Sequence, residues 1–268
     1  YKVREPRAEY VTAPPSNIVI LGKTITGAQV FWPRTLAEPE VQTFYAKIIG
    51  QRVETIARRA KYLILHLSQQ VLIIHLRMSG DILITPLDQP LAPHDRLTLT
   101  LDDQYRLAFN DTRKFGRVWL LDDPAPLFAG LGPEPFSDEF TPAWLCMALQ
   151  QKNRQLKPLL LDQTFLAGLG NIYTDEALHR AGLHPLTLSS SVSASQAARL
   201  RDAIREVLSD GIRHNGSSID WVYRGGGLQN YFRVYGRTGE PCLTCGTAIE
   251  RIVVGQRGTH FCPACQKR

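Results

Sequence analysis

Four cysteines close the chain in two pairs, Cys242-Leu243-Thr244-Cys245 and Cys262-Pro263-Ala264-Cys265, with residues 246–261 between them. A tetrahedral Zn²⁺ needs four thiolates at about 2.3 Å, and two Cys-x-x-Cys turns on the arms of a β-hairpin supply them without strain. Gly246 and Gly258 fall where the turns beside such knuckles call for flexible backbone. Two disulfides or a redox dithiol are the alternative. No signal peptide is read at the start and the fifth cysteine, Cys146, stands alone, so a non-secreted, cytoplasmic protein with one structural zinc is expected.

A chain of 268 residues is long for one domain and comfortable for two. It has no apolar run long enough for a membrane helix. Lys and Arg outnumber Asp and Glu by 31 to 25, giving a net charge of +6 and favouring an anionic partner. Beside a zinc ribbon, that partner reads as nucleic acid.

The first ~130 residues read as β-rich. Tyr62–Leu67 and Val71–Leu76 are apolar runs split by Ser68-Gln69-Gln70, a hairpin signal, and Leu97–Leu101 alternates with period two before Asp102-Asp103. Tyr105–Phe109 and Val118–Leu121 continue the meander, and a helix is expected over Glu38–Ile49. Short strands at this spacing predict a sandwich or barrel. After Leu131-Gly132-Pro133-Glu134-Pro135 the pattern turns helical, over Thr141–Gln151, Leu156–Gln163 and Ser195–His214. The last puts Ala197, Leu200, Ile204, Val207, Leu208 and Ile212 on one stripe, with Ser193 or Ser195 as cap.

Polar groups interrupt these patterns in four places. Arg58-Arg59-Ala60-Lys61-Tyr62 leads into a strand, read as either a solvated strand start or a phosphate contact. His75-Leu76-Arg77-Met78-Ser79-Gly80 ends a strand, and by itself reads as core plus turn. Asn110-Asp111-Thr112-Arg113-Lys114-Phe115-Gly116 is a charged turn tipped by Phe, the chemistry with which proteins wedge between base steps. Ala167-Gly168-Leu169-Gly170-Asn171-Ile172-Tyr173 is a Gly-rich loop before Asp175-Glu176, whose free N–H groups would seat a phosphate.

Taken in order, these segments resemble the formamidopyrimidine-DNA glycosylase and endonuclease VIII family over roughly residues 20–268. Val234-Tyr235-Gly236-Arg237 and Gln256-Arg257-Gly258-Thr259 extend the match into the ribbon, and the four cysteines with Met78, Arg113 and Phe115 favour the formamidopyrimidine branch. The resemblance implies an α+β multidomain fold. Its parts would be an N-terminal antiparallel β-sandwich (1–132), a helix–two-turn–helix domain (133–230) and a C-terminal zinc-ribbon β-hairpin (231–268). It implies a monomeric base-excision repair glycosylase with abasic-site lyase activity on oxidised purines. Bent duplex DNA would lie in a cleft between the halves, with the damaged base flipped out. Met78, Arg113 and Phe115 would fill the vacated stack. Lys61, His75, Asn171 and Arg257 would grip the phosphates flanking the extruded nucleotide, with Lys61 and Arg257 also serving strand cutting. His94, Lys152 and Tyr173 would contact DNA as well, and Glu5 would handle protons at the sugar.

Two features depart from the family. Its proteins begin Pro-Glu-Leu-Pro-Glu, whose terminal amine forms an imine with C1′. Here Arg4-Glu5 falls at that place by ungapped counting, and Pro6, Pro14 and Pro15 argue against the helix that should follow. The Ser217–Tyr231 loop carries Arg224-Gly225-Gly226-Gly227, reads a few residues short and is expected to be mobile. A member that binds damaged or abasic DNA without excision is therefore the alternative expectation, and a zinc-ribbon protein of transcription or RNA the weaker one.

Overall fold

The computed structural model describes residues 19–216 and 227–268. Glu5, the segment 1–15 and most of the Gly-rich loop of 217–231 lie outside the described residues. Two compact units emerge, one of residues up to Ala57 with Leu63–Asp122, the other of Arg58–Tyr62 with Asp123–Arg268.

Among the described residues the first unit is built on nine strands, β3 and β4 reaching past its edge into the Arg58–Tyr62 turn: β1 (Ile25–Val30), β2 (Leu36–Glu38), β3 (Val53–Arg59), β4 (Tyr62–Leu67), β5 (Val71–His75), β6 (Gly80–Pro86), β7 (Asp95–Leu101), β8 (Tyr105–Asp111) and β9 (Arg117–Leu121). One sheet runs β1-β7-β8-β6, all antiparallel, and the other β2-β9-β5-β4-β3. The short β2 pairs parallel with β9, a departure from a purely antiparallel sandwich. Period-two alternation sends Leu97, Leu99, Leu101, Leu107 and Phe109 into one core with Leu65, Leu72, Ile74 and Val118 of the other sheet. Helix α1 (Val41–Ile48) adds Phe44 and Ile48 to that core, three residues shorter at its start than the sequence predicts. Strands β1, β3 and β6 carry no clean alternation and are additions to the reading. Asp102 and Asp103, both left-handed (φ 50 and 53), turn β7 into β8, and the Asp102 carboxylate accepts from the Thr24 N–H at 2.7 Å and from Lys23 at 3.0 Å.

The second unit holds α2 (Ala125–Phe128), α3 (Pro142–Gln150), α4 (Leu156–Leu161), α5 (Asn171–Ala181) and α6 (Ala194–Arg213), then the hairpin β10 (Glu250–Val254) and β11 (Arg257–Phe261). Thr141 caps α3, and Ser193 caps α6 in a reciprocal box with Gln196. The α6 stripe buries Ala197, Leu200, Ile204 and Val207 against α3 and α5, with Cys146 packed at the edge of the same core. Ile212 departs from its predicted place and is 69% exposed. Stepping by three and four from Val207 brings Gly211 inward instead, where an added Cβ would lie 2.7 Å from the Tyr173 hydroxyl, so the glycine admits the ring and Ile212 turns out.

Candidate zinc centre and nucleic-acid contact residues

The four sulfurs of Cys242, Cys245, Cys262 and Cys265 lie within 4.8 Å of one another. Their closest pairs are 3.4, 3.5 and 3.9 Å apart, far beyond a disulfide bond of about 2.05 Å and close to the ~3.8 Å edges of a tetrahedron with ~2.3 Å Zn–S bonds. The Thr247 hydroxyl and N–H pull the Cys245 thiol down to about 6, whereas burial and the facing sulfurs push Cys265 up. Four such sulfurs ionise together only around a cation, so the donor set fits one zinc ion and excludes the disulfide reading. His179, held near 4 by burial and by Arg233, Arg180 and Arg237, is neutral at pH 7 and sets Nε2 3.5 Å from Cys242 Sγ.

Gly246 sits left-handed at φ 77, as the knuckle requires, but Gly258 does not. It is a β11 residue where the atoms nearest an added Cβ all belong to the exposed Arg251 guanidinium, at 3.0 Å, which can move aside, so neither turn geometry nor packing demands glycine there. The hairpin turn is instead Gly255-Gln256, at φ 54 and 62, which presents the exposed Arg257 at the first position of β11.

Beneath Arg257 the predicted Asn171 joins a network whose other members, Lys157, Asp175 and His260, sequence reasoning missed. Lys157 and Asp175 are fully buried and paired at 2.6 Å. Lys157 Nζ also donates to the Gly258 carbonyl at 3.0 Å, and Asn171 Nδ2 donates to the same oxygen at 3.2 Å. Asp175 accepts the His260 N–H at 2.9 Å, so α4, α5 and β11 meet in one network. Burial lowers the Lys157 pKa, Asp175 opposes this, and Arg257 adds to the lowering. Glu176 accepts the N–H groups of Arg233, Val234 and Tyr235 at 2.8–3.0 Å, tying α5 to the chain entering the ribbon.

Lys61 is exposed on the turn Arg58–Tyr62. Glu134 organises that turn: it takes both Arg58 nitrogens at 3.1 and 3.2 Å and the Ala60 N–H, while Arg59 donates to the Gly132 carbonyl at 2.8 Å. A cavity of about 360 Å³ opens beside it, lined by Arg58, Ala60, Phe136, Gly168, Tyr173 and Ile212 among others. The Gly-rich loop is less free than expected, because the Gly168 N–H donates to Gln163 Oε1 at 2.9 Å. Gly170 is the N-cap of α5 and offers no side chain to cap it, and Asn171 presents a buried Oδ1 without a partner among the described residues. Lys152 is exposed just beyond α3.

In the first unit, Met78 and Phe115 are each 54% exposed, and Arg113 Nη1 lies 4.0 Å from Met78 Sδ. Each apolar side chain follows a left-handed residue, Arg77 (φ 56) before Met78 and Lys114 (φ 61) before Phe115. His75 is buried, with Nδ1 accepting the Arg77 N–H at 3.0 Å, and the exposed His94 faces Arg96 at 3.2 Å.

Sequence profiles of the formamidopyrimidine-DNA glycosylase N-terminal domain, the formamidopyrimidine-DNA glycosylase H2TH domain and the zinc finger found in FPG and IleRS match residues 12–118, 131–222 and 239–268. A formamidopyrimidine-DNA glycosylase of Chloroflexus aggregans is 49% identical over 255 residues, covering 92% of each chain.

The chain belongs to the formamidopyrimidine-DNA glycosylase family.

A second family member, from Bacillus cereus, is 40% identical with 98% of each chain covered. Among solved structures, family protein MutM in complex with DNA containing carbocyclic 8-oxo-G superposes with a TM-score of 0.88 at 38% identity, over 93% of this chain and 94% of that one. The Lactococcus lactis Fpg with abasic-site DNA gives the same values. The β-rich N-terminal part, helical H2TH part and zinc hairpin are thus the family's architecture, and no described helix is long and apolar enough to cross a membrane.

Proposed function

We propose that this protein is a base-excision DNA glycosylase with abasic-site lyase activity, acting on oxidised purines in duplex DNA. The observation that carries the reading is the presentation of Met78, Arg113 and Phe115 together on two adjoining turns, in a chain 49% identical to a named formamidopyrimidine-DNA glycosylase. Two half-exposed apolar side chains beside a guanidinium suit the space left when a base leaves the stack. Arg257, Asn171, Lys61 and Lys152 offer cationic and amide donors to phosphates, with Tyr173, His75 and His94 as further contacts. Lys61 and Arg257 assist the eliminations that cut the strand, and Glu5 handles protons at the opening sugar. Similarity to glycosylases over nearly the whole chain favours this enzyme over a non-catalytic binder. We place its action in the cytoplasm, on chromosomal DNA.

A duplex bearing one 8-oxoguanine tests the proposal. Release of the oxidised base with strand scission at that position, and none at guanine, is expected. Tight binding without either product would overturn it.

A further inference from the structure

We propose that Asp111 is a positioning residue that sets the Met78–Arg113–Phe115 wedge, by locking the two turns carrying these side chains into one rigid body. The proposal rests on the wedge reading above and deepens it. Asp111 ends β8 two residues after Phe109, so both side chains point to the same face and both are buried, Asp111 to 1% exposure. No cation pairs with its carboxylate among the described residues. Among the described residues its partners all come from the two turns. Oδ1 accepts the Ser79 hydroxyl and the Arg113 N–H (3.1 Å), and Oδ2 accepts the Gly116 N–H at 2.7 Å. Ser79 Oγ in turn accepts the Arg113 N–H at 3.1 Å, so the residue after Met78 is bonded to the wedge arginine through the same carboxylate.

Phe109 completes the platform. A Cβ on Gly80 would stand 2.8 Å from its ring and 2.5 Å from the Leu76 carbonyl oxygen, and one on Gly116 would overlap the ring, so both turns close on the Phe109 side chain where only glycine fits. The strained geometry gives the lock a purpose. Arg77 and Lys114 hold left-handed backbone that non-glycine residues avoid, each immediately before the apolar side chain it presents. Such conformations persist where surrounding bonds over-determine them, and Asp111 supplies those bonds to both turns. A wedge held ready loses little freedom when it enters the duplex, which favours lesion sites over intact DNA.

Asp111→Asn and Ser79→Ala test the lock, because asparagine must aim an NH₂ at a donor on one side and alanine removes only the link between turns. The probe is a duplex with one 8-oxoguanine and a 2-aminopurine beside the base opposite it, whose fluorescence rises when a side chain unstacks it. Asp111→Asn should cut the ratio of lesion to undamaged affinity about 10-fold and Ser79→Ala roughly 2–5-fold, as lost charged and neutral hydrogen bonds do. The fluorescence rise should shrink in step, with affinity for undamaged duplex unchanged. In a chain already carrying Met78→Ala, Arg113→Ala and Phe115→Ala, adding Asp111→Asn should leave the ratio where it is. If Ser79→Ala leaves both ratio and fluorescence unchanged, or if Asp111→Asn lowers the ratio equally without the wedge side chains, the lock is refuted. If Phe115→Ala alone leaves ratio and fluorescence unchanged, the wedge reading itself fails and takes this proposal with it.

Discussion

Replacing Lys157 with Met probes the network under Arg257 at its most sensitive point. Lys157 and Asp175 are fully buried at 2.6 Å, so methionine keeps the side-chain length but strands a carboxylate away from water. Removing one partner of a buried ion pair costs about 3–5 kcal/mol. Asp175 keeps the His260 N–H at 2.9 Å, which places the expectation at the lower end, about 3 kcal/mol. For a protein of this size that lowers Tm by roughly 6–12 °C, read from the thermal melt by circular dichroism with zinc in excess. Adding Asp175→Asn should restore part of the loss, since asparagine can still accept from His260 and carries no charge to strand. Gly258 also loses its Lys157 donor and keeps only Asn171, so lesion-duplex affinity should fall before unfolding begins. A Tm within about 2 °C of the parent, or a double variant worse than the single one, would show that Lys157 does not offset the buried Asp175 charge.

Three further expectations rest on separate parts of the site. Burial opposes ionisation of Glu134, but the Ala60 N–H and the charges of Arg58 and Arg59 outweigh it and hold the carboxyl below its usual 4.5. A carboxylate with a depressed folded pKa stabilises above its unfolded pKa, and that stability is lost as pH falls through the folded value. Glu134→Gln should therefore cost roughly 1–2 kcal/mol at pH 7, a figure kept small because Arg58 is 56% exposed, and the gap should close in melts taken between pH 5 and 3; a constant gap contradicts the assignment. Cys245→Ser should drop bound zinc from one equivalent to near none by elemental analysis and abolish binding to abasic duplex, and full zinc retention would exclude the four-cysteine site. Arg257→Ala should weaken binding to abasic duplex and lower the salt slope by about one, so an unchanged slope would remove Arg257 from the phosphate contacts.

What was legible in the sequence follows from the range of the interactions. The zinc ligands were readable because each coordinating pair is local, two thiolates on one turn. The α6 helix was readable because its cap and stripe are local too, although Ile212 lies beyond the point where that stripe faces the core. Lys157 was not readable: in Leu-Lys-Pro-Leu-Leu-Leu a lysine looks like the solvated side of a helix. Its burial comes from partners 18 and 101 residues away. Glu134 likewise meets Ala60 and Arg58 across 74 and 76 residues, which no local pattern records. Asp111 lies between these cases. Leu107, Phe109 and Asp111 share one parity along β8, so a carboxylate in phase with core residues was a visible sign of a buried acceptor.

Glycosylase and lyase chemistry that runs through an imine leaves a reducible protein–DNA bond, which borohydride traps. The protein is incubated with duplexes carrying one 8-oxoguanine or one abasic site, reduced, and digested for mass spectrometry. A covalent protein–DNA adduct is expected on both duplexes, through a single amine, with no adduct on undamaged DNA. Zinc-dependent binding to the abasic duplex with no adduct at any amine would contradict it.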